Sequence, residues 1–355
     1  MVSHAFTRSL AYLGLLTLSA ACVPDFETDL SALRAPRLLA IASNPAETQG
    51  KKPATLTALV AVPEGETAPE VDWTLCLSRK PLTELGPVNP LCLEADDGSG
   101  AVASLGRGES VDTVLDQDVC KLFGPLRPSA MAGEPAGRPV DPDVTGGFYQ
   151  PVVANLDGAT SLGSIRIDCD PANLNRDDAL EFRARYRVNE NPKLSTVSIS
   201  SGGSDPVTLT DAADAPTEVR ASSVVTFRAE WDACPVDSVC GDGLCTANED
   251  SANCADDCAD GMAHGCTGAE SYVWYDRERY RVEPRREGIT VAWYASKGSF
   301  ELEQTGLDED QTGSRRSTSN SWRPGSAVGS ATVWVVARDT RGGVSWRVQH
   351  FTIVK

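Results

Sequence analysis

From residue 37 onward, apolar and polar residues alternate in short runs broken by Pro, Gly, Asn and Asp, the pattern of antiparallel strands rather than helices. The runs RLLAIAS (37–43), TLTALVAV (55–62) and VDWTLCL (71–77) open the series, with a Pro63-Glu64-Gly65 turn between the last two. GFYQPVVANL (147–156) and SLGSIRIDC (161–169) are joined through Asp157-Gly158, a dipeptide that tolerates the positive φ angles of a tight hairpin. After Lys193 strands are predicted throughout, at 194–200, 207–209, 218–231, 271–276, 288–296, 331–339 and 345–354. In ATVWVVARD (331–339), Val333, Val335 and Ala337 alternate with Trp334, Val336 and Arg338, so both faces of that strand are partly apolar.

One segment departs from this period. In NLNRDDALEFRARYRV (173–188), Asn175 or Asp177 can cap a helix whose apolar face carries Ala179, Phe182 and Tyr186. Pro192 disfavours helix at Asn191, so the helix stops and NENP is predicted to be a hinge. Residues 78–145 are rich in Pro, Gly, Asp and Glu and are predicted to form a long irregular insertion, with 93–120 loosely helical at best. Trp73, three residues before Cys76 in a turn-strand-turn-strand order, gives the first part a resemblance to an immunoglobulin-like module. The last two predicted strands resemble those of PKD-like and cadherin-like sandwiches. The expected fold is mainly β: two immunoglobulin-like antiparallel sandwiches over 36–190 and 191–355, one short helix and one disulfide-rich insertion.

The first 21 residues change the picture from fold to location. They carry one cation, Arg8, an apolar run from Leu10 to Leu18, and Ser19-Ala20-Ala21 just before Cys22. That run is about half the roughly 20 residues needed to span a bilayer, which predicts a cleaved secretory signal. The pattern resembles a lipoprotein lipobox, with Ser19 where the family usually has Leu and with Leu18 one place earlier. The resemblance implies a lipid on Cys22, a tether over 22–35 and residence in a Gram-negative cell envelope, at the outer membrane. The alternative is an ordinary signal cleaved near Ala21.

Behind such a leader the remaining cysteines, Cys76, Cys92, Cys120, Cys169, Cys234, Cys240, Cys245, Cys254, Cys258 and Cys266, read as disulfides. They fall into an early and a late group. Sequence does not fix connectivity, and the pairs expected are Cys76 with Cys92, Cys120 with Cys169 and Cys234 with Cys266. The late group lies within CPVDSVCGDGLCTANEDSANCADDCADGMAHGC (234–266), whose centre resembles a short cysteine repeat of secreted myxobacterial proteins. The whole chain resembles a myxobacterial surface lipoprotein of unassigned role. Three readings of the insertion stand side by side. It is a structural staple, a calcium site built on Asp242, Asn248, Glu249, Asp250, Asn253, Asp256 and Asp257, or a zinc site, for which the cysteine spacing is unsuited. DEDQTG (308–313) and DPDVTGG (141–147) lack the rest of a calcium loop and are read as turns.

A formal net charge of −18 excludes nucleic acid as a partner, because phosphate binding needs Lys and Arg. The same charge leaves membrane attachment to a lipid anchor. The chain has three histidines, no G-x-S-x-G elbow and no recognisable triad, so no enzyme is expected. Trp274, Trp293, Trp322, Trp334 and Trp346 could supply an aromatic strip for a glycan or protein ligand, or could pack the core. Arg285-Arg286 and Arg315-Arg316 are expected on a solvated edge and loop. The function expected is a non-enzymatic binding, adhesion or scaffold module. The alternatives are a calcium-stabilised carbohydrate-binding accessory and, behind it, an uncharacterised hydrolase.

Overall fold

The computed structural model describes residues 29–355 apart from 82–83, 95–97, 99, 128–139, 173, 211–214, 235–239, 242–248, 250 and 259–264. Eight strands form the first sandwich: β1 (Arg37–Asn44), β2 (Glu47–Thr48), β3 (Pro53–Ala61), β4 (Val71–Cys76), β5 (Val102–Arg107), β6 (Ser110–Val114), β7 (Phe148–Leu156) and β8 (Ala159–Ile167). They order as β1-β3-β6 in one sheet and β2-β8-β7-β4-β5 in the other. In β3, Ala54, Leu56 and Ala58 turn inward while Thr55 and Thr57 are only partly buried, the two-residue period of a strand with one face on a core.

A second sandwich follows, built from β9 (Leu194–Ser201), β10 (Val207–Thr208), β11 (Thr217–Arg220), β12 (Val225–Trp231), β15 (Ile289–Ala295), β16 (Ser299–Phe300), β17 (Gln304–Leu307), β18 (Ser317–Arg323), β19 (Gly329–Asp339) and β20 (Val344–Val354). Its sheets order as β10-β9-β12-β18-β16 and β11-β20-β19-β15-β17. Both sandwiches repeat one plan. An opening strand is interrupted, and its continuation crosses to the opposite sheet, where it pairs parallel with the last strand: β2 with β8, and β11 with β20. The other strand pairings in the sandwiches are antiparallel, and the plan is that of immunoglobulin-like folds. Trp73 on β4 and Trp293 on β15 occupy matching central strands and are fully buried. Trp73 donates Nε1–H to Gly108 O (2.9 Å) and Trp293 to Thr305 Oγ1 (2.9 Å), so neither indole hides an unmet donor.

Between β12 and β15 the chain leaves the sandwich. It makes the cysteine-rich insertion, closed at its base by Cys234–Cys266, and then a separate hairpin of β13 (Ser271–Asp276) and β14 (Arg281–Arg286). Two α-helices lie in the first part, a single turn, α1 (Val119–Leu122), and α2 (Arg176–Arg185). Asn175 caps α2 by accepting from the Asp178 N–H, acidic residues occupy its first turn and arginines its last, each favourable to the helix dipole. Its Phe182 packs with Val273, Tyr275 and Val282, so α2 and the hairpin close over a small core of their own.

Several expectations are corrected. Residues 93–120 hold β5 and β6 rather than loose helix, because Val102 and Val111 fill the first core. Residues 218–231 are two strands in different sheets, divided at a turn where Ser222 has φ 57°. The NENP segment is no free hinge, since Arg187 and Asn189 are buried. The tether is docked in its second half: Leu33 N–H donates to Ala295 O and Ala295 N–H to Ser31 O, both at 2.8 Å. Removing the central indole with Trp293→Ala is expected to lower the unfolding free energy by about 3–5 kcal/mol, read by urea denaturation.

Candidate functional site: a buried charged junction

The two sandwiches pack face to face because β19 is apolar on both sides. Val333, Val335 and Ala337 point into the second core, while Trp334 and Val336 meet Leu39, Ala40, Leu59 and Ala61 of the first sandwich. Polar contacts frame this patch. Arg338 donates to Leu39 O (2.7 Å), Asn191 donates to Ser43 O and accepts from Val344 N–H (each 2.8 Å), and the Arg37 guanidinium lies 5.0 Å from the Tyr294 ring centre.

Beside the patch, where the chain passes from one sandwich to the other, lies a cluster of buried charges. Glu47 (β2) and Arg166 (β8) come from the first sandwich, and Arg187 and Asn189 from the link after α2. Glu270, Glu287, Asp339 and Arg341 come from the second, with Arg341 and Glu287 0% exposed. Arg341, in the β19–β20 turn, donates Nε–H to Glu287 (2.7 Å), Nη1–H to Arg187 O (2.8 Å), pairs with Glu270, and stands 4.7 Å from the Tyr272 ring centre. Glu287 also accepts from the Glu270 N–H (2.9 Å). Arg166 faces Glu47 (3.3 Å) and donates to Thr145 Oγ1 (2.8 Å) and Tyr149 OH (2.7 Å). Glu47 further accepts from the Asn189 N–H (2.8 Å) and from Tyr186 OH. Gly147 is required here: a Cβ at that position would overlap the Arg166 guanidinium.

Burial dominates the electrostatics. It pushes the Tyr149 hydroxyl up to about 12, brings Arg341 down to about 10 and lifts Glu287 well above the carboxylate range. It also raises Asp339 to about 6, against the backbone N–H groups of Gly343 and Arg341 that favour its charged form. Opposite charges meet throughout the cluster. Its chemistry is mutual neutralisation, which fixes geometry because each charge is tolerated only where its partners stand.

The expected site residues are placed as follows. Disulfides join Cys76 to Cys92, Cys120 to Cys169, Cys234 to Cys266 and Cys240 to Cys254, and Cys258 is also disulfide-bonded. Cys22 and Cys245 lie outside the described residues, as do the calcium candidates Asp242, Asn248 and Asp250. Of the others, Asp257 accepts the Gly241 N–H (2.5 Å), Asp256 is exposed, and Glu249 is buried with its carbonyl accepting from Arg187. Cys240, Cys254 and Asp257 bring their ligand atoms within 4.8 Å of one another, but the two sulfurs are bonded to each other and offer no thiolate. The aromatic strip does not form. Trp293 and Trp322 fill the second core, Trp334 and Trp346 lie in the face between the sandwiches, and Trp274 is covered by Arg285, 4.8 Å from its ring centre. Nor is the Arg285-Arg286 pair a solvated edge: Arg285 donates to Val144 O (2.6 Å), and Arg286 to Cys234 O (2.9 Å).

No protein-family model matches the chain, and no curated protein matches it significantly. Among solved structures, the fibronectin(III)-like modules of Clostridium thermocellum CbhA align at 8% identity over 88% of this chain and 94% of theirs, with a TM-score of 0.18. The Yersinia pseudotuberculosis adhesin InvE aligns at 8% identity over 88% of this chain and 58% of its own, with a TM-score of 0.19. A glycosyl hydrolase family 2 member from Bacteroides cellulosilyticus aligns at 9% identity and a TM-score of 0.18, over 85% of this chain but 23% of its own length. The immunoglobulin-like assignment rests on the strand orders themselves.

Arg341→Met should cost about 3–5 kcal/mol, because Glu270 and Glu287 lose their cation while buried. Adding Glu270→Gln and Glu287→Gln should restore most of that loss. Chemical denaturation of the single and triple variants measures both.

Proposed function

We propose that this chain is a lipid-anchored envelope protein whose two sandwiches form one stiff, non-catalytic unit for binding or scaffolding. The observation that carries this reading is the junction: an apolar face and a desolvated charge cluster join the sandwiches, where flexible tandem modules need neither. The disulfides fit an oxidising compartment outside the cytoplasm. Among the described residues no helix is long and apolar enough to cross a membrane, so attachment in this reading falls to Cys22. His350, the one histidine among the described residues, faces Thr332 Oγ1 at 3.4 Å rather than a carboxylate, which supports the non-catalytic assignment.

Docking of residues 31–33 on Ala295 gives the proposal a direction. From Cys22 to Asp29 an extended chain reaches about 25 Å, so a lipid on Cys22 would hold the Ala295 end of β15 close to the membrane. The insertion and the hairpin leave from the opposite end of that strand, where Arg286 meets Cys234 O, and would face outward. Burial of Trp293, Trp322 and Trp334, with Trp346 half-buried between the sandwiches and Trp274 covered by Arg285, removes the support that an aromatic strip gave to glycan binding.

Mass spectrometry of the mature N-terminus tests the anchor. A diacylglyceryl group on Cys22 is expected, with Cys22→Ser shifting the protein from the membrane to the soluble fraction. Retention of Met1, or an unmodified Cys22, contradicts it.

A further inference from the structure

We propose that the junction is operated by a proton: the closed arrangement of the sandwiches carries a hydrogen on the Asp339 carboxyl that the opened one releases, so mild acid tightens the unit and a rise in pH loosens it. This goes beyond the anchored-scaffold reading and does not depend on the lipid.

Among the described carboxylates of the cluster, Asp339 is the one with no ion-pair contact. Glu270 and Glu287 share Arg341, and Glu47 holds Arg166. Arg187 gives its donors to the carbonyls of Ala184, Tyr186 and Glu249 and approaches Cys258 Sγ. Asp339 Oδ1 accepts the N–H groups of Arg341 and Gly343, each at 2.8 Å, and the Asn189 side-chain N–H at 3.5 Å, whereas buried Oδ2 has no hydrogen-bond partner among the described residues. An ionised oxygen in that position costs far more than a protonated one. Every element packed around the site adds charge or a titratable group. Glu47 comes from β2, Tyr149 from β7, Arg166 from β8 with Asp168 just after it, and Tyr186 with Arg187 from the link. Glu270 and Tyr272 flank the start of β13, Arg286 and Glu287 end the hairpin, and Glu249 comes from the insertion. None of these described groups is a histidine, so among them a titration between pH 4 and 7 belongs to a carboxyl group.

The sign follows from Asp339 holding its proton more tightly when buried, up to about 6 against an ordinary 3.8. Its contribution to closure is fully present below the ordinary value and is lost as pH rises through the raised one, with the proton passing to solvent. The opening equilibrium therefore increases roughly a hundredfold across that window. Glu287, also raised by burial, acts in the same direction.

Hydrogen exchange of the full chain, expressed as protection factors to remove the intrinsic pH dependence, tests this at the amides of Asn189, Arg341 and Gly343. Their protection should fall at least about tenfold between pH 5 and pH 8, the part of the hundredfold change that lies above pH 5, while that of Trp293 stays constant. In Asp339→Asn, which keeps the Oδ1 acceptor, the fall should be about tenfold smaller than in the natural chain. Equal protection of the natural chain at both pH values, or the same fall in Asp339→Asn, overturns the proposal. Should that variant fail to fold, the carbon-13 shift of the Asp339 carboxyl in the natural chain decides alone: a midpoint near 6 supports it, and an ordinary carboxylate midpoint overturns it.

Discussion

Arg341 takes a positive charge out of solvent, and a buried charge without partners costs several kcal/mol, so the groups that neutralise it must arrive from separate parts of the chain and stay. Glu270 is delivered by the end of the cysteine-rich insertion, Glu287 by the end of the β13–β14 hairpin, and the Arg187 carbonyl by the link that follows α2. Moving any one of these segments strands a charge. The arginine thus ties the insertion, the hairpin and the link to a single turn of the second sandwich. The first sandwich is drawn in through Asn189, whose N–H is held by Glu47, itself facing Arg166.

Such a cluster stabilises little by itself, since the desolvation of each ion offsets much of the attraction between them. What it confers is uniqueness of arrangement. The favourable free energy comes from the apolar face, where Trp334 and Val336 leave water against Leu39, Leu59 and Ala61. The two contributions are complementary. An apolar face alone tolerates sliding, and buried ion pairs do not. In the proposed reading, a stiff body with residues 31–33 laid along one end and its insertion at the other presents a surface at a fixed orientation.

Much of the fold was legible because strand periodicity reports one buried face at a time. The Asp157-Gly158 hairpin and the Asn175 cap of α2 depend on short-range chemistry, and the structure has them where the sequence places them, with φ 49° and 84° in the hairpin turn. β5 and β6 were obscured by the Pro- and Gly-rich residues around them, since short strands at a sheet edge carry few apolar positions. The apolar second face of β19 was visible in sequence, yet its meaning required the partner sheet. The junction was hidden for a different reason: Glu47, Arg166, Glu287 and Arg341 are charged residues in otherwise ordinary strand ends and turns, where exposure is the default. Arg341 in Thr340-Arg341-Gly342-Gly343 resembles any solvated hairpin turn, and only tertiary contacts distinguish it.

Joining of the two sandwiches into one rigid body is tested most directly by residual dipolar couplings measured at pH 5 on amides of both. A single alignment tensor should fit the couplings from 37–167 and 194–354 together, in the relative orientation that places Trp334 against Leu39 and Leu59. Separate tensors of different magnitude for the two would contradict it.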